Sequence, residues 1–266
     1  MSAPRRAVPA LLFGLLLGGS AGGCTAEPPP PSTVAEPPAM TSAAAEPAAA
    51  RTPVVLLDPG HNGGNARARG MVNRLVPDGR GGTKACNTTG TSTTTGYPEH
   101  AFSWDLAQRV RALLSEHGIT VVLTRPDDSG VGPCVDERGA AGERADADVV
   151  VSLHADGSAP DNHGFHVAYA EPPLNPAQSG PARVLAATLR DHLRDAGFPV
   201  STYIGRDGLS PRSDLAGLNL STRPAALVEC ANMRNPAEAA LLSSPEGRER
   251  YAAAIAAGIM SFLTWW

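Results

Sequence analysis

VVLLDPGHNGG, residues 54–64, is a run of branched apolar residues that breaks into a turn of Pro, Gly and Asn with a histidine set in it. Four apolar residues in a row, 54–57, are too few for a helix and suit a strand buried on both faces. Gly60, Gly63 and Gly64 let the backbone reverse sharply beyond them. Asp58 and His61 are therefore expected at the carboxyl end of a strand, where open α/β sheets form their ligand sites.

Working outward, short apolar runs recur at 119–123, 149–153, 165–169 and 225–228. Helical spacing separates them: Phe102, Leu106, Val110, Leu113 and Leu114; then Leu185, Leu189 and Leu193; finally Tyr251, Ile255, Ile259 and Phe262. Strands alternating with amphipathic helices predict a single α/β domain built on a largely parallel sheet. There is no internal repeat. Residues 63–98 lack periodicity and are crowded with Gly, Thr, Asn and Arg, which predicts a long irregular connection acting as a functional or mobile loop.

The amino terminus reads differently. Arg5 and Arg6 precede an apolar segment at 8–17 and a small-residue stretch, Ser20-Ala21-Gly22-Gly23, so residues 1–23 are expected to be an export signal. The segment is too short to span a bilayer. Ala21-Gly22-Gly23-Cys24 resembles a bacterial lipobox, with Ala where Leu is usual, and implies lipidation of Cys24 and attachment to the outer face of the cytoplasmic membrane; plain secretion is the alternative. Residues 24–52, dominated by Pro, Ala, Glu, Ser and Thr, cannot bury enough apolar surface to fold and are expected to be a disordered tether. The folded part is then 53–266.

A formal net charge of −4, with both signs scattered, offers no basic stripe and argues against nucleic acid as a partner. Export permits cysteine pairing. Beyond Cys24 the cysteines are Cys86, Cys134 and Cys230; the first two lie in Gly/Thr/Pro-rich connections, and the third ends an apolar run. The expected bridge is Cys86–Cys134, closing a loop of about 50 residues worth about 4 kcal/mol in the chain-entropy model. Three free thiols are the alternative.

Three strands run into a chemistry-bearing residue: 54–57 into Asp58 and His61, 149–153 into His154, 225–228 into Glu229. All would face one crevice. A helix starting near Pro98 would place Glu99 on the same side as Phe102, Leu106, Val110 and Leu113, with His100 about 100° away. An inward carboxylate on an apolar face is costly unless it is paired or binds a cation. Two imidazoles and a carboxylate suit a catalytic zinc ion, which keeps three protein ligands and one open position. Glu229 is then available as a base. Each residue also has a plainer reading: His61 bonding its own turn, His154 a satisfied strand-end histidine, Glu99 favouring the positive end of its helix, Glu229 paired with Arg125 or Arg138.

LLDPGHNGG, the glutamate of GYPEH, VVVSLHADG, and PAALVE followed by NMRNPAEA together resemble the zinc-dependent N-acetylmuramoyl-L-alanine amidases of the Amidase_3 type, and most closely the single-domain mycobacterial peptidoglycan amidases. The resemblance spans residues 53 to 264. It implies a twisted, mostly parallel mixed sheet of about six strands flanked by helices. It further implies one zinc ion held by His61, Glu99 and His154, Glu229 as the catalytic acid/base, and structural roles for Arg125 and Arg138. The implied reaction is hydrolysis of the amide between the lactyl group of N-acetylmuramic acid and L-alanine, by a monomer acting on peptidoglycan or muropeptides in the cell envelope. Another zinc hydrolase, a peptidase or deacetylase, and a non-catalytic wall-binding lipoprotein are the rivals. Arg212, Ser213 and Asn219 are candidates for contact with the stem peptide. The chain departs from the family pattern in having Cys230 and Ala231 after Glu229 and Asp156 after His154, with His163 and His166 as extra imidazoles.

Overall fold

The apolar runs become strands, and the strands extend past them. The computed structural model describes Gly23 and residues 51–265. The expectations for the export signal, for Cys24 and for residues 24–50 lie outside the described residues. In chain order the elements are β1 (Val54–Pro59), α1 (Arg69–Val72), β2 (Leu75–Pro77), β3 (Thr83–Ala85), α2 (Glu99–Glu116), β4 (Thr120–Leu123), α3 (Val135–Gly139), α4 (Ala141–Arg144), β5 (Val149–Asp156), β6 (His166–Ala170), α5 (Pro176–Ser179), α6 (Pro181–Asp195), β7 (Leu209–Arg212), α7 (Ala216–Asn219), β8 (Ala225–Asn232), α8 (Pro236–Ser243) and α9 (Pro245–Trp265). Among the described residues no helix is long and apolar enough to cross a membrane.

Six strands form one mixed sheet in the order β4-β1-β5-β8-β6-β7. β4, β1, β5 and β8 run parallel; β6 is antiparallel to β8, and β7 is parallel to β6. Strand alternation divides the side chains between two faces. Val55, Leu57, Val149, Val151, Leu153, Val167 and Val228 point to one face, where α2, α6 and α9 pack on them with Phe102, Leu106, Leu189, Ile255 and Phe262, all fully buried. α9 contacts both α2 and α6, closing this layer. Leu56, Val150, Ala168 and Ala225 point to the other face. There the cover is thin, made of the short helices α3, α4 and α7, and a pocket of about 230 Å³ remains between them and the strands.

Three sequence expectations need correcting. Asp58, His154 and Glu229 do not follow their strands but lie within β1, β5 and β8, because backbone pairing continues after the apolar run stops. β7 has no counterpart in the apolar runs. Its sequence LSPR contains Pro211, which argues against a central strand, yet β7 pairs only with β6 at the sheet edge, where a missing N–H costs nothing. Residues 63–98 are not structureless: β2 and β3 form an antiparallel hairpin.

That hairpin turns on Asp78, whose carboxylate accepts from the backbone N–H of Arg80 (2.7 Å) and of Gly82 (3.0 Å). It docks through Arg80 Nε, which donates to Ser213 O and Asn219 Oδ1, and through Lys84 Nζ, which donates to Asp214 O at 2.6 Å. Gly79 is needed at this seam: its φ is 83°, and a Cβ there would meet Asn219 Cβ at 2.7 Å. The expected Cys86–Cys134 bridge is present and ties the end of the hairpin to the start of α3. Cys230 is free and buried. At the amino end, Arg51 pairs with Asp148, just before β5, so the chain is already fastened to the sheet two residues before the expected domain start.

Candidate functional site

The turn after β1 is bound by two guanidinium groups. Arg125, wholly buried, donates from Nε to Pro59 O (3.0 Å) and from Nη2 to Gly60 O (3.3 Å) and His100 O (2.9 Å). Arg138 donates to Pro59 O at 2.8 Å and to His61 O at 2.7 Å. Three successive carbonyls thus point inward to fixed cations. His61 adopts a φ of 56°, the left-handed region that non-glycine residues seldom occupy, and the Arg138 hydrogen bond to its carbonyl holds it there. Burial pulls the Arg125 guanidinium down to about 10, against the attraction of Asp128, which still leaves it charged at neutral pH.

Arg138 is in turn neutralised by Asp58, which also accepts from Thr124 Oγ1 (2.6 Å) and Ser152 Oγ (2.7 Å). Burial works to raise the Asp58 carboxyl, but Arg138 and the two hydroxyls together bring it down to about 2. Arg125 pairs with Asp128 at 2.8 Å. Neither arginine pairs with Glu229, so that plainer reading of Glu229 falls.

Glu99 begins α2 and is buried, as the helical geometry required, while Pro98 stands one position earlier than a first-turn residue, as N-cap. Its Oε1 lies 3.0 Å from His61 Nε2 and 2.8 Å from His154 Nδ1. Its Oε2 accepts from Thr91 N at 2.9 Å. Burial raises the Glu99 carboxyl, and the two imidazoles outweigh it, holding the group well below the usual carboxylate range. His61 Nδ1 lies 3.2 Å from Thr88 O. A carbonyl can only accept, so Nδ1 carries a hydrogen, and Nε2 is the ring nitrogen that a neutral His61 would offer to a metal.

Two glycines make room for this. At Gly60 a Cβ would stand 2.3 Å from the His154 ring, and at Gly90, with φ 75°, it would meet Glu99 Oε2 and His61 Cδ2 at 2.8 Å. The rings of His61 and His154 are 5.0 Å apart and nearly perpendicular. Among the described residues, His61, Glu99 and His154 are the group of three metal-capable side chains whose donor atoms all lie within 4.8 Å of one another. His163, exposed on its loop, and His166, fully buried, do not join it.

Glu229 sits beside this cluster because β5 and β8 place it in register with His154. Its Oε2 is enclosed and has no hydrogen-bond partner. Burial raises the carboxyl well above its ordinary value, and the negative charges of Glu99 and Asp156 raise it further against Arg212. Cys230, next in sequence, points to the opposite face and packs in the apolar core, where burial also pushes its thiol up. It is therefore not part of the site.

The donor set fits a divalent cation such as zinc. Two imidazole nitrogens and one carboxylate oxygen converge from three separate elements, and a single carboxylate oxygen sits between both rings, an arrangement that a small cation would relieve. The neighbouring enclosed carboxylate oxygen of Glu229 has nothing else to serve. The sequence brought His61, Glu99, His154 and Glu229 forward; it did not reveal Thr88, Thr91 and Gly90, which come from the 63–98 segment and shape the cluster from one side. Asn219 is committed to the hairpin seam, donating to Asp78 O and Ser213 O at 2.9 Å, and Arg212 pairs with Asp214. Asn219 is thus occupied by structure.

Residues 55–261 match the Amidase_3 family model, described as N-acetylmuramoyl-L-alanine amidase. The N-acetylmuramoyl-L-alanine amidase Rv3717 of Mycobacterium tuberculosis is 50% identical over 210 residues, 79% of this chain and 86% of that one. Among solved structures, the N-acetylmuramyl-L-alanine amidase Ami1 of Mycobacterium smegmatis superposes with a TM-score of 0.78 at 52% identity, covering 80% of this chain and 98% of that chain. The apo form of Ami1 from Mycobacterium abscessus gives 0.77 at 49% identity, over 79% and 98% of the two chains.

Proposed function

The chain belongs to the Amidase_3 family of N-acetylmuramoyl-L-alanine amidases, and from that premise we propose that it hydrolyses its substrate with one zinc ion held by His61, Glu99 and His154 and with Glu229 as acid/base. The activity is that of a cell-wall amidase acting on peptidoglycan: the bond cut joins the lactyl carbonyl of N-acetylmuramic acid to the nitrogen of L-alanine. The observation that carries the assignment of roles is the register of His154 and Glu229, which sets an unpartnered carboxylate beside the three converging donors.

Zinc bound there supplies a Lewis acid that polarises a carbonyl and lowers the pKa of water. Glu229 takes a proton from the attacking water as its oxygen bonds to the lactyl carbonyl carbon. It then delivers that proton to the alanine nitrogen as the C–N bond breaks, leaving a lactyl carboxylate and a free amino end. Asp58, Arg138 and Arg125 hold the backbone of the His61 turn in place, which sets where its imidazole can point.

Export to the cell envelope, through a signal over 1–23, and lipid attachment at Cys24 complete the proposal, with the chain acting as a monomer. A muropeptide digest tests the chemistry: an amidase leaves intact glycan and a free L-alanine amino end, whereas a deacetylase releases acetate. Glu229→Gln is expected to lower turnover by about a thousandfold or more with zinc content unchanged. Normal turnover in that variant removes Glu229 from the reaction.

A further inference from the structure

Among the described residues, three side-chain polar atoms are enclosed without a hydrogen-bond partner: Asp136 Oδ1, Glu229 Oε2 and His166 Nδ1. Buried polar atoms are satisfied in the great majority of cases, and each exception asks for an explanation. Two of these three belong to a single register pair, His166 on β6 opposite Glu229 on β8. Directly opposed residues on antiparallel strands carry their Cβ atoms about 4.5–5.5 Å apart and on the same face. Since Glu229 is also in register with His154, the three residues stand side by side on β5, β8 and β6, in one row across the sheet. His154 belongs to the metal-capable cluster on one side of Glu229; His166 is its neighbour on the other.

We infer that His166 is a positioning residue for the reaction, its Nδ1 taking up the free oxygen of Glu229 by a small rotation and aiming the carboxyl during proton transfer. The inference rests on the reading of Glu229 as the proton carrier. The surroundings leave this role open. His166 meets Tyr203 in a T-shaped contact at 6.2 Å, and the Tyr203 hydroxyl donates to Asp156 Oδ2 at 3.1 Å and not to the imidazole. Burial and the charge of Arg212 pull the imidazole down to about 4, against Asp156, so the ring is neutral at ordinary pH. A neutral imidazole offers either an N–H or a lone pair at Nδ1 according to its tautomer. With its hydrogen on Nδ1 the ring donates to Glu229 as carboxylate and, through the oxygen that carries no proton, as carboxylic acid, so no tautomer change is needed as the group passes between the two forms.

The test uses the zinc-loaded enzyme and muropeptide hydrolysis in four proteins. His166→Phe removes the nitrogen at similar bulk. His166→Asn restores a polar atom near the Nδ1 position, and His166→Gln places one nearer Nε2. Expected are a fall in kcat of about tenfold or more for the Phe and Gln variants, with KM within about twofold and zinc content unchanged, and recovery of most of that loss in His166→Asn. A purely structural role would lower the melting temperature in all three variants and would not separate Asn from Gln. Wild-type kcat in His166→Phe, or equal kcat in the Asn and Gln variants, overturns the inference. Glu229→Gln, the fourth protein, separates the two readings: if it is inactive while the His166 variants are normal, only the role of His166 fails; if it is active, the role of Glu229 fails first.

Discussion

The two faces of the central sheet are built from the same strands and do opposite work. On the face covered by α2, α6 and α9, every inward side chain of β1, β5 and β8 is apolar and closed off from solvent. On the other, the same strands present Asp58, Ser152, His154 and Glu229 under a cover of short helices and a docked hairpin. The first face is where stability comes from, since burying a large apolar side chain contributes about 1.5–3 kcal/mol. The second carries polar groups whose burial costs free energy unless each finds a partner. Asp58 and Ser152 found theirs, while Glu229 and its neighbour His166 did not. Function sits where satisfaction is incomplete.

The contrast can be broken by substitution, taking the largest expected loss of stability first. Phe102→Ala, in the closed layer, should cost about 4 kcal/mol in denaturant unfolding, while zinc content and kcat per folded molecule stay near wild type. A large fall in kcat there would mean that the closed face is coupled to the chemistry. Replacing both Cys86 and Cys134 by Ala should cost up to about 4 kcal/mol. It should also weaken zinc binding, because Thr88, two residues after Cys86, holds the His61 ring. Competition with a chelator reads this directly, and unchanged zinc affinity would reduce the bridge to a staple for the hairpin.

Asp58 sharpens the comparison through pH. Its carboxyl lies near 2 in the folded chain, against an ordinary value of 3.8. A depressed folded value contributes stability above the unfolded value and loses it as pH falls through the folded one. The wild type should therefore lose about 2 kcal/mol between pH 4 and pH 2 through this residue. Asp58→Asn should already lack that increment at pH 7 and show a flatter acid limb. If both proteins lose stability in parallel over that window, the Asp58–Arg138 pair is not what steadies the turn. The smallest effect belongs to Cys230→Ala: about 1 kcal/mol and no change in kcat, because the thiol faces the core and not the site.

How much of this the sequence disclosed follows the same division. The closed face was readable because apolar spacing is a one-dimensional signal: the runs at 54–57, 149–153 and 225–228 all became strands, and the three helical spacings became α2, α6 and α9. Glu99 was placed correctly by helix periodicity alone. The thin face was harder. Part of its cover comes from 63–98, where the β2–β3 hairpin is too short to leave a pattern, and the sheet itself ends in β7, an edge strand that Pro211 hides. The backbone contacts of Thr88 and Thr91 to His61 and Glu99 could not be read from residue identity, since any residue offers a carbonyl and nearly any an N–H. The glycines at 60 and 90 were the available hint, and only the first was used.

Zinc-edge anomalous scattering from crystals of the purified protein tests the central claim most directly. One strong peak is expected about 2.0–2.2 Å from a nitrogen of His61, a nitrogen of His154 and an oxygen of Glu99, with Glu229 beside it and not bound to it. A peak liganded by His163 or His166, or full occupancy at a place that leaves those three side chains uncoordinated, would contradict it.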